Sequence, residues 1–244
     1  MSQDCGASSD RAGMTSPIQQ IARLAYKTFL PRAGVFAPIQ ENFNQLVKLT
    51  NQITAEDVNF NTNLVKNASP YCPSYERAPV TYVGLWEDEV ISMGIFVLRH
   101  GVALPLHDHP GMYGVCKVIH GTLGVTSYHY TDPRPVPSDL HSLRSHLQPT
   151  ICAPRTEVTV NDHACVLSPR ERNFHEMRAV HGPAAFLDIL APPYEGAAGR
   201  DCHYYREVAT DDDQVTWLQR IPQPLEFWCD RDDYRGPRIN PLVD

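Results

Sequence analysis

Between Val80 and Leu218 the chain repeats one signal: short runs of β-branched, aliphatic and aromatic residues, set off by glycine, proline, asparagine or aspartate. Such runs fall at 80–86, 91–98, 115–119, 123–128, 156–160, 164–167, 174–177, 184–190, 203–208 and 215–218. They are too short for ordinary helices and suit strands. Many short strands at close intervals specify an all-β sandwich or barrel. The runs 115–119 and 123–128 are separated by His120-Gly121-Thr122 and read as a hairpin, with glycine available for a positive φ. Residues 131–155 are rich in proline and have no clear period. They are expected to leave the barrel as a long excursion, and loops of that length usually carry function or move.

Upstream of the strands the period changes. Ile18, Ile21, Ala22, Ala25 and Phe29 fall on one helical face, with Ser16 as N-cap and Pro17 in the first turn. A second helix is expected over 39–53, with Phe43, Leu46, Val47 and either Leu49 or Thr50 turned inward. Thr54-Ala-Glu-Asp57 has the form of a capping box with Asp in the last place. Residues 59–78 read as a surface connection. Residues 1–14 are small and polar and are expected to be disordered, which leaves 15–244 as one domain. The tail from Ile221, rich in Pro, Trp and Tyr, is expected to wrap the outside.

Charge and cysteine usage narrow the function. A formal net charge of −7, with no basic block to offset it, argues against a nucleic-acid or anionic-membrane partner. Seven cysteines, an odd number with no Cys-x-x-Cys pair, make neither a zinc ribbon nor a regular disulfide framework. The first 14 residues hold Asp4 and Asp10 and no apolar core of a secretory signal. No apolar run approaches the about 20 residues that cross a bilayer. A reducing, cytoplasmic setting is expected. A mitochondrial presequence around Arg23 and Lys27 is the weaker alternative.

The stretch that carries chemistry is Gly101-Val-Ala-Leu-Pro-Leu-His107-Asp-His109-Pro-Gly111. Two histidines one residue apart on extended backbone turn their rings to one side and can bind one metal ion. A third ligand must come from elsewhere, and His175 in Asn173-Phe174-His175-Glu176-Met177 is the best placed. Gly101, the histidine pair and Gly121 keep the spacing of the first cupin motif, in which a small β-barrel holds a metal inside. The Glu that normally follows the second His is replaced here by Gly114. A three-histidine site without a carboxylate resembles that of the thiol dioxygenases. Three blocks make the likeness closer: His107-Asp-His109-Pro-Gly-Met, Phe186-Leu-Asp-Ile-Leu-Ala-Pro-Pro-Tyr194 and Gly199-Arg-Asp-Cys-His-Tyr-Tyr205. Together they resemble the cysteamine dioxygenase and plant cysteine oxidase family.

That resemblance implies a cupin double-stranded β-helix, jelly-roll-like, with a few N-terminal helices packed outside. It implies Fe(2+) held by His107, His109 and His175. Neutral imidazoles leave the metal's charge undiminished, so a substrate thiolate is drawn to it. The same ligands suit zinc, and ligand type alone does not choose. An acidic residue near the iron would be Asp188, orienting a ligand or meeting the substrate amine. Tyr194 would offer a hydroxyl at the pocket mouth. In the family a matching Cys–Tyr pair is linked with a thioether cross-link, which here would join Cys202 and Tyr204. Implied partners are O2, cysteamine (oxidised to hypotaurine) and proteins or peptides with an N-terminal Cys, oxidised to the sulfinic acid. In the family the latter feeds an N-degron pathway of oxygen sensing. Free cysteine would call for an Arg fork, and neither Arg99 nor Arg200 is compelled into the pocket. The expected protein is a monomer. A zinc- or manganese-dependent cupin isomerase or hydrolase, and a non-enzymatic cupin binding protein, are the rival readings.

Overall fold

The computed structural model describes residues 15–32, 37–73, 77–210 and 214–243. The disorder expected over 1–14 lies outside these residues. Helix α1 (Pro17–Phe29) starts where the sequence places it: Ser16 Oγ accepts the Gln19 N–H at 3.4 Å and Pro17 sits in the first turn. All five apolar residues of its expected stripe are buried. Helix α2 (Gln40–Gln52) buries Phe43, Leu46 and Thr50, while Val47 and Leu49 are only half-buried, so Thr50 closes the inner face. Thr54 and Asp57 exchange the hydrogen bonds of a capping box. No α-helix follows them, because Asn59 adopts a φ of 46° and the chain turns into a single 3-10 turn at Thr62–Val65. Among the described residues no helix is long and apolar enough to cross a membrane.

Eleven strands follow: β1 (Val80–Glu87), β2 (Ser92–Leu98), β3 (Ala103–His107), β4 (Tyr113–Tyr130), β5 (Leu147–Cys152), β6 (Thr156–Thr159), β7 (Cys165–Leu167), β8 (Phe174–Ala191), β9 (Tyr204–Val208), β10 (Thr216–Ile221) and β11 (Cys229–Arg231). Their pairings close a ring, β4–β8–β3–β9–β10–β5 and back to β4, with β2, β1 and β11 continuing beyond β8. This is a closed, jelly-roll-like barrel of six strands.

Two expected breaks are instead bends within long strands. The hairpin expected at 120–122 does not form, since β4 runs unbroken for 18 residues. Gly121 takes a φ of +71°, and a Cβ there would lie 2.3 Å from the Pro183 carbonyl oxygen. The register with β8 slips on both sides of His120. Opposite this bend, β8 joins the runs 174–177 and 184–190 through His181 (φ 61°) and Gly182 (φ 140°). Bending there lets β4 and β8 pair along both halves, with β3 flanking one half of β8 and β2 the other. Residues 131–155 are not wholly an excursion. They contain a 3-10 segment, Ser138–His146, and then β5, which closes the barrel between β4 and β10. The tail, expected to wrap the outside, adds β11 parallel to β1 at the sheet edge and also sends Phe227 to the barrel interior.

Strand parity divides the core. On β8, Leu187 and Ile189 join the cluster that seats α1 and α2 (Ile18, Ile21, Leu46) against the barrel wall. Their neighbour Phe186 points the other way, into the barrel with Leu104, Val118 and Met177. Asp188 and Leu190 share the parity of Phe186, and that interior holds the site.

Candidate metal centre

His107 is the last residue of β3 and stands opposite His175, the second residue of β8. His109 lies two residues on, past the strand end. Its main chain is clasped by Asn173, whose Oδ1 accepts the His109 N–H at 3.1 Å and whose Nδ2 donates to the His109 carbonyl at 2.8 Å. The three rings meet with centroids 4.7 to 4.8 Å apart. One nitrogen from each falls within 4.8 Å of the others, and Nε2 of His109 is 3.2 Å from Nε2 of His175. Among the described residues this is the one such group of potential metal ligands.

The far sides of the rings are held by hydrogen bonds. His107 Nδ1 donates to the Pro105 carbonyl at 2.8 Å. His109 Nδ1 faces the Tyr194 hydroxyl at 2.9 Å. That hydroxyl gives its own proton to the Asp108 carbonyl at 2.7 Å, so it accepts from the ring. The Arg172 backbone beside the His175 ring favours its protonated form, against the larger effect of burial. Burial pushes the pKa of all three histidines down, and their mutual repulsion adds to the shift at His109 and His175. The rings are therefore neutral, with nitrogen lone pairs turned inward. Lone pairs this close in a buried space repel unless something electropositive lies among them, so the residues fit a metal cation.

The triad lines a cavity of about 230 Å³ with Phe96, Leu104, Met177, Phe186, Leu190 and Phe227. Asp188, Tyr194, Cys202 and Tyr204 line the same cavity, so every residue singled out from the sequence is brought to one place. Desolvation raises the Asp188 pKa to about 7. Burial raises the Cys202 thiol to about 11, against the neighbouring Tyr194 and Tyr204 hydroxyls, which favour its ionised form. Cys202 precedes β9 instead of lying within it. Gly114 contributes no ligand, and a Cβ there would meet Leu167 at 2.9 Å and Leu190 at 3.0 Å. The place of a carboxylate is filled by leucine. Among the described residues no arginine or lysine lines the cavity. Arg99 Nε donates to the Ala78 carbonyl, and Arg200 Nε to that of Pro193, outside it.

Sequence reasoning passed over three residues. Asp108, between the two histidines, is buried and accepts from His203 and Tyr205. Asn173, two residues before His175, holds the His109 loop. Their adjacency to the ligands was the available signal. Phe227 arrives from the tail, and nothing local marks it as a cavity residue.

A family model described as PCO_ADO matches residues 49–239. A protein named 2-aminoethanethiol dioxygenase from Mus musculus is 39% identical over 257 residues, covering 95% of this chain and 99% of that protein. Its namesake from Homo sapiens is 36% identical over 271 residues, with the same coverage of 95% and 99%. Plant cysteine oxidase 1 of Arabidopsis thaliana is 27% identical over 230 residues, covering 83% of this chain and 73% of that protein.

Proposed function

We infer the reaction from one premise: this chain belongs to the PCO_ADO family. It is a thiol dioxygenase, and the geometry that carries this reading is three neutral imidazoles that converge with no carboxylate joining their group and, among the described residues, no lysine or arginine lining their cavity. The net reaction joins one thiol and one O2 to give a sulfinic acid. Both oxygens end on sulfur, the thiol supplies the electrons, and no external reductant is needed. The metal is assigned as iron(II), which supplies Lewis acidity toward the thiol and redox chemistry toward O2. The substrates are assigned as cysteamine and the N-terminal Cys of peptides and proteins, which fits a cavity without an Arg fork for a free carboxylate. The protein is read as a cytoplasmic monomer.

Each residue has a derivable part in this scheme. His107, His109 and His175 hold the metal as uncharged donors, so the site favours a thiolate over a thiol. Asp188, poised by burial near neutrality, gives up its proton readily once a substrate ammonium approaches, and then pairs with it. Tyr194 keeps His109 in the tautomer that presents Nε2. Cys202, with Tyr194 and Tyr204 on the same cavity, forms one wall, and the Cys202–Tyr204 pair is where a cross-link would form. Phe96, Phe186, Met177 and Phe227 give the cavity an apolar wall around the metal ligands.

The deciding experiment is O2 uptake by anaerobically iron-loaded protein given cysteamine, free cysteine or a Cys-initiated peptide, with mass spectrometry of products. Uptake that adds two oxygens to sulfur and vanishes in His175→Ala is the expected result. No uptake with any thiol, despite bound iron, would overturn the assignment in favour of a zinc- or manganese-type cupin.

A further inference from the structure

Asp108 lies between two of the three histidines, yet its side chain is turned away from them toward a segment 95 residues further on. The side chain is 4% exposed and makes no ion pair with lysine or arginine among the described residues. A buried carboxylate needs strong donors, and these come from one place. Oδ1 accepts the His203 main-chain N–H at 2.8 Å. Oδ2 faces His203 Nδ1 at 3.1 Å and accepts the Tyr205 hydroxyl at 2.9 Å. The Asp108 main chain adds two more bonds: its N–H donates to the His203 carbonyl at 3.1 Å, and its carbonyl accepts the Tyr194 hydroxyl at 2.7 Å.

Extended backbone alternates its side chains between two faces. In β9 Tyr205 points to Asp108 and Tyr204 to the metal cavity, and the preceding residues keep the same alternation, with His203 on Asp108 and Cys202 on the cavity. The parity of this segment is thus set by what Asp108 grips. We propose that Asp108 is a positioning residue: through His203 and Tyr205 it fixes the face that 202–205 presents, placing Cys202 and Tyr204 in the cavity wall, while its carbonyl anchors Tyr194 at His109. The catalytic consequence rests on the thiol dioxygenase reading; the placement of Cys202 does not.

Two measurements test it. Iodoacetamide labelling of Cys202, mapped by mass spectrometry in the purified protein, reports placement without turnover. Kcat/KM with cysteamine, together with metal stoichiometry, reports the consequence. In Asp108→Ala, labelling of Cys202 is expected to speed up about tenfold or more as the segment opens locally. Kcat/KM should fall about 10–100-fold at unchanged metal stoichiometry, the usual effect of losing a group that orients a metal site. Asp108→Asn keeps an oxygen for the His203 N–H and should recover most of both. Unchanged labelling in Asp108→Ala, or a rate loss that merely tracks lost metal, would overturn the proposal. If Asp108→Ala does not fold, Tyr205→Phe removes one arm of the grip at constant shape. It should accelerate labelling in the same sense, and no acceleration would count against Asp108. If the wild-type protein shows no thiol-dependent O2 uptake, the reaction assignment fails while the labelling comparison still decides the role of Asp108.

Discussion

The hydroxyl of Tyr194 stands 2.9 Å from Nδ1 of His109 and sends its own proton to the Asp108 carbonyl. One hydroxyl thus selects the tautomer of one histidine, leaving Nε2 of His109 bare and aimed at its two neighbours. Tyr194→Phe keeps the ring and removes the acceptor. A buried N–H left without a partner costs about 1–3 kcal/mol, and metal affinity should fall about 10–100-fold. Thermal unfolding and competition with a chelator measure the two effects. Wild-type metal affinity in Tyr194→Phe would show that the ring does not depend on this bond.

Gly114 stands at the position of the missing carboxylate, and the surrounding leucines make its emptiness a packing requirement. Gly114→Ala forces a Cβ to within 2.9 Å of Leu167 and 3.0 Å of Leu190. Overpacking of this kind costs about 1–3 kcal/mol. Gly114→Glu should be worse and should not yield a fourth ligand. Denaturant melts with metal titration check both, and a stable Gly114→Glu protein with tightened metal binding would refute this account.

Asp188 makes stability depend on pH. A carboxyl whose pKa rises from 3.8 to about 7 on folding holds its proton more tightly in the native state. Native stability therefore declines as pH climbs from about 3.8 to about 7 and is flat above. Since Asp188 is only half-buried, on a cavity that water can enter, the size is on the order of 2 kcal/mol. Asp188→Asn removes the decline. Chelator-treated wild type and variant should converge in Tm at acid pH and separate toward neutrality, with the variant higher. Parallel curves would mean that the carboxyl is not destabilised by burial.

The histidines act with the opposite sign. Their pKa values are lowered on folding, so the unfolded chain takes up protons first as pH drops. Metal-free protein should lose stability from about pH 6.5 downward. Bound metal, which competes with protons for the same nitrogens, should shift that loss to lower pH. Melting curves with and without divalent metal test this, and a loss unaffected by metal would point to groups outside the triad.

Much of this protein can be read without coordinates. The helical stripe from Ile18 to Phe29, with its Ser16 cap, and the inward residues of α2 follow from local periodicity. So do most of the strands. The convergence of His107, His109 and His175 was reached differently, from motif spacing and likeness to a family. The two misplaced strand breaks share a cause. Gly121 and Gly182 carry positive φ, which a sequence reader takes for a turn. Whether such a residue ends a strand or bends it depends on the partner strand, and here β4 and β8 bend opposite each other and stay paired.

What the sequence determined by itself was the two helices, most of the strand segments and the chemistry of the donors, because capping, side-chain parity and imidazole basicity are local properties. What only the tertiary structure decided was which groups face one another across the barrel. Asp108 meeting His203 and Tyr205, Tyr194 orienting His109, Leu167 and Leu190 filling the space beside Gly114, and Phe227 closing the cavity from the tail are contacts between residues far apart in the chain. Such contacts follow from ring closure and strand register, which the whole sheet settles together.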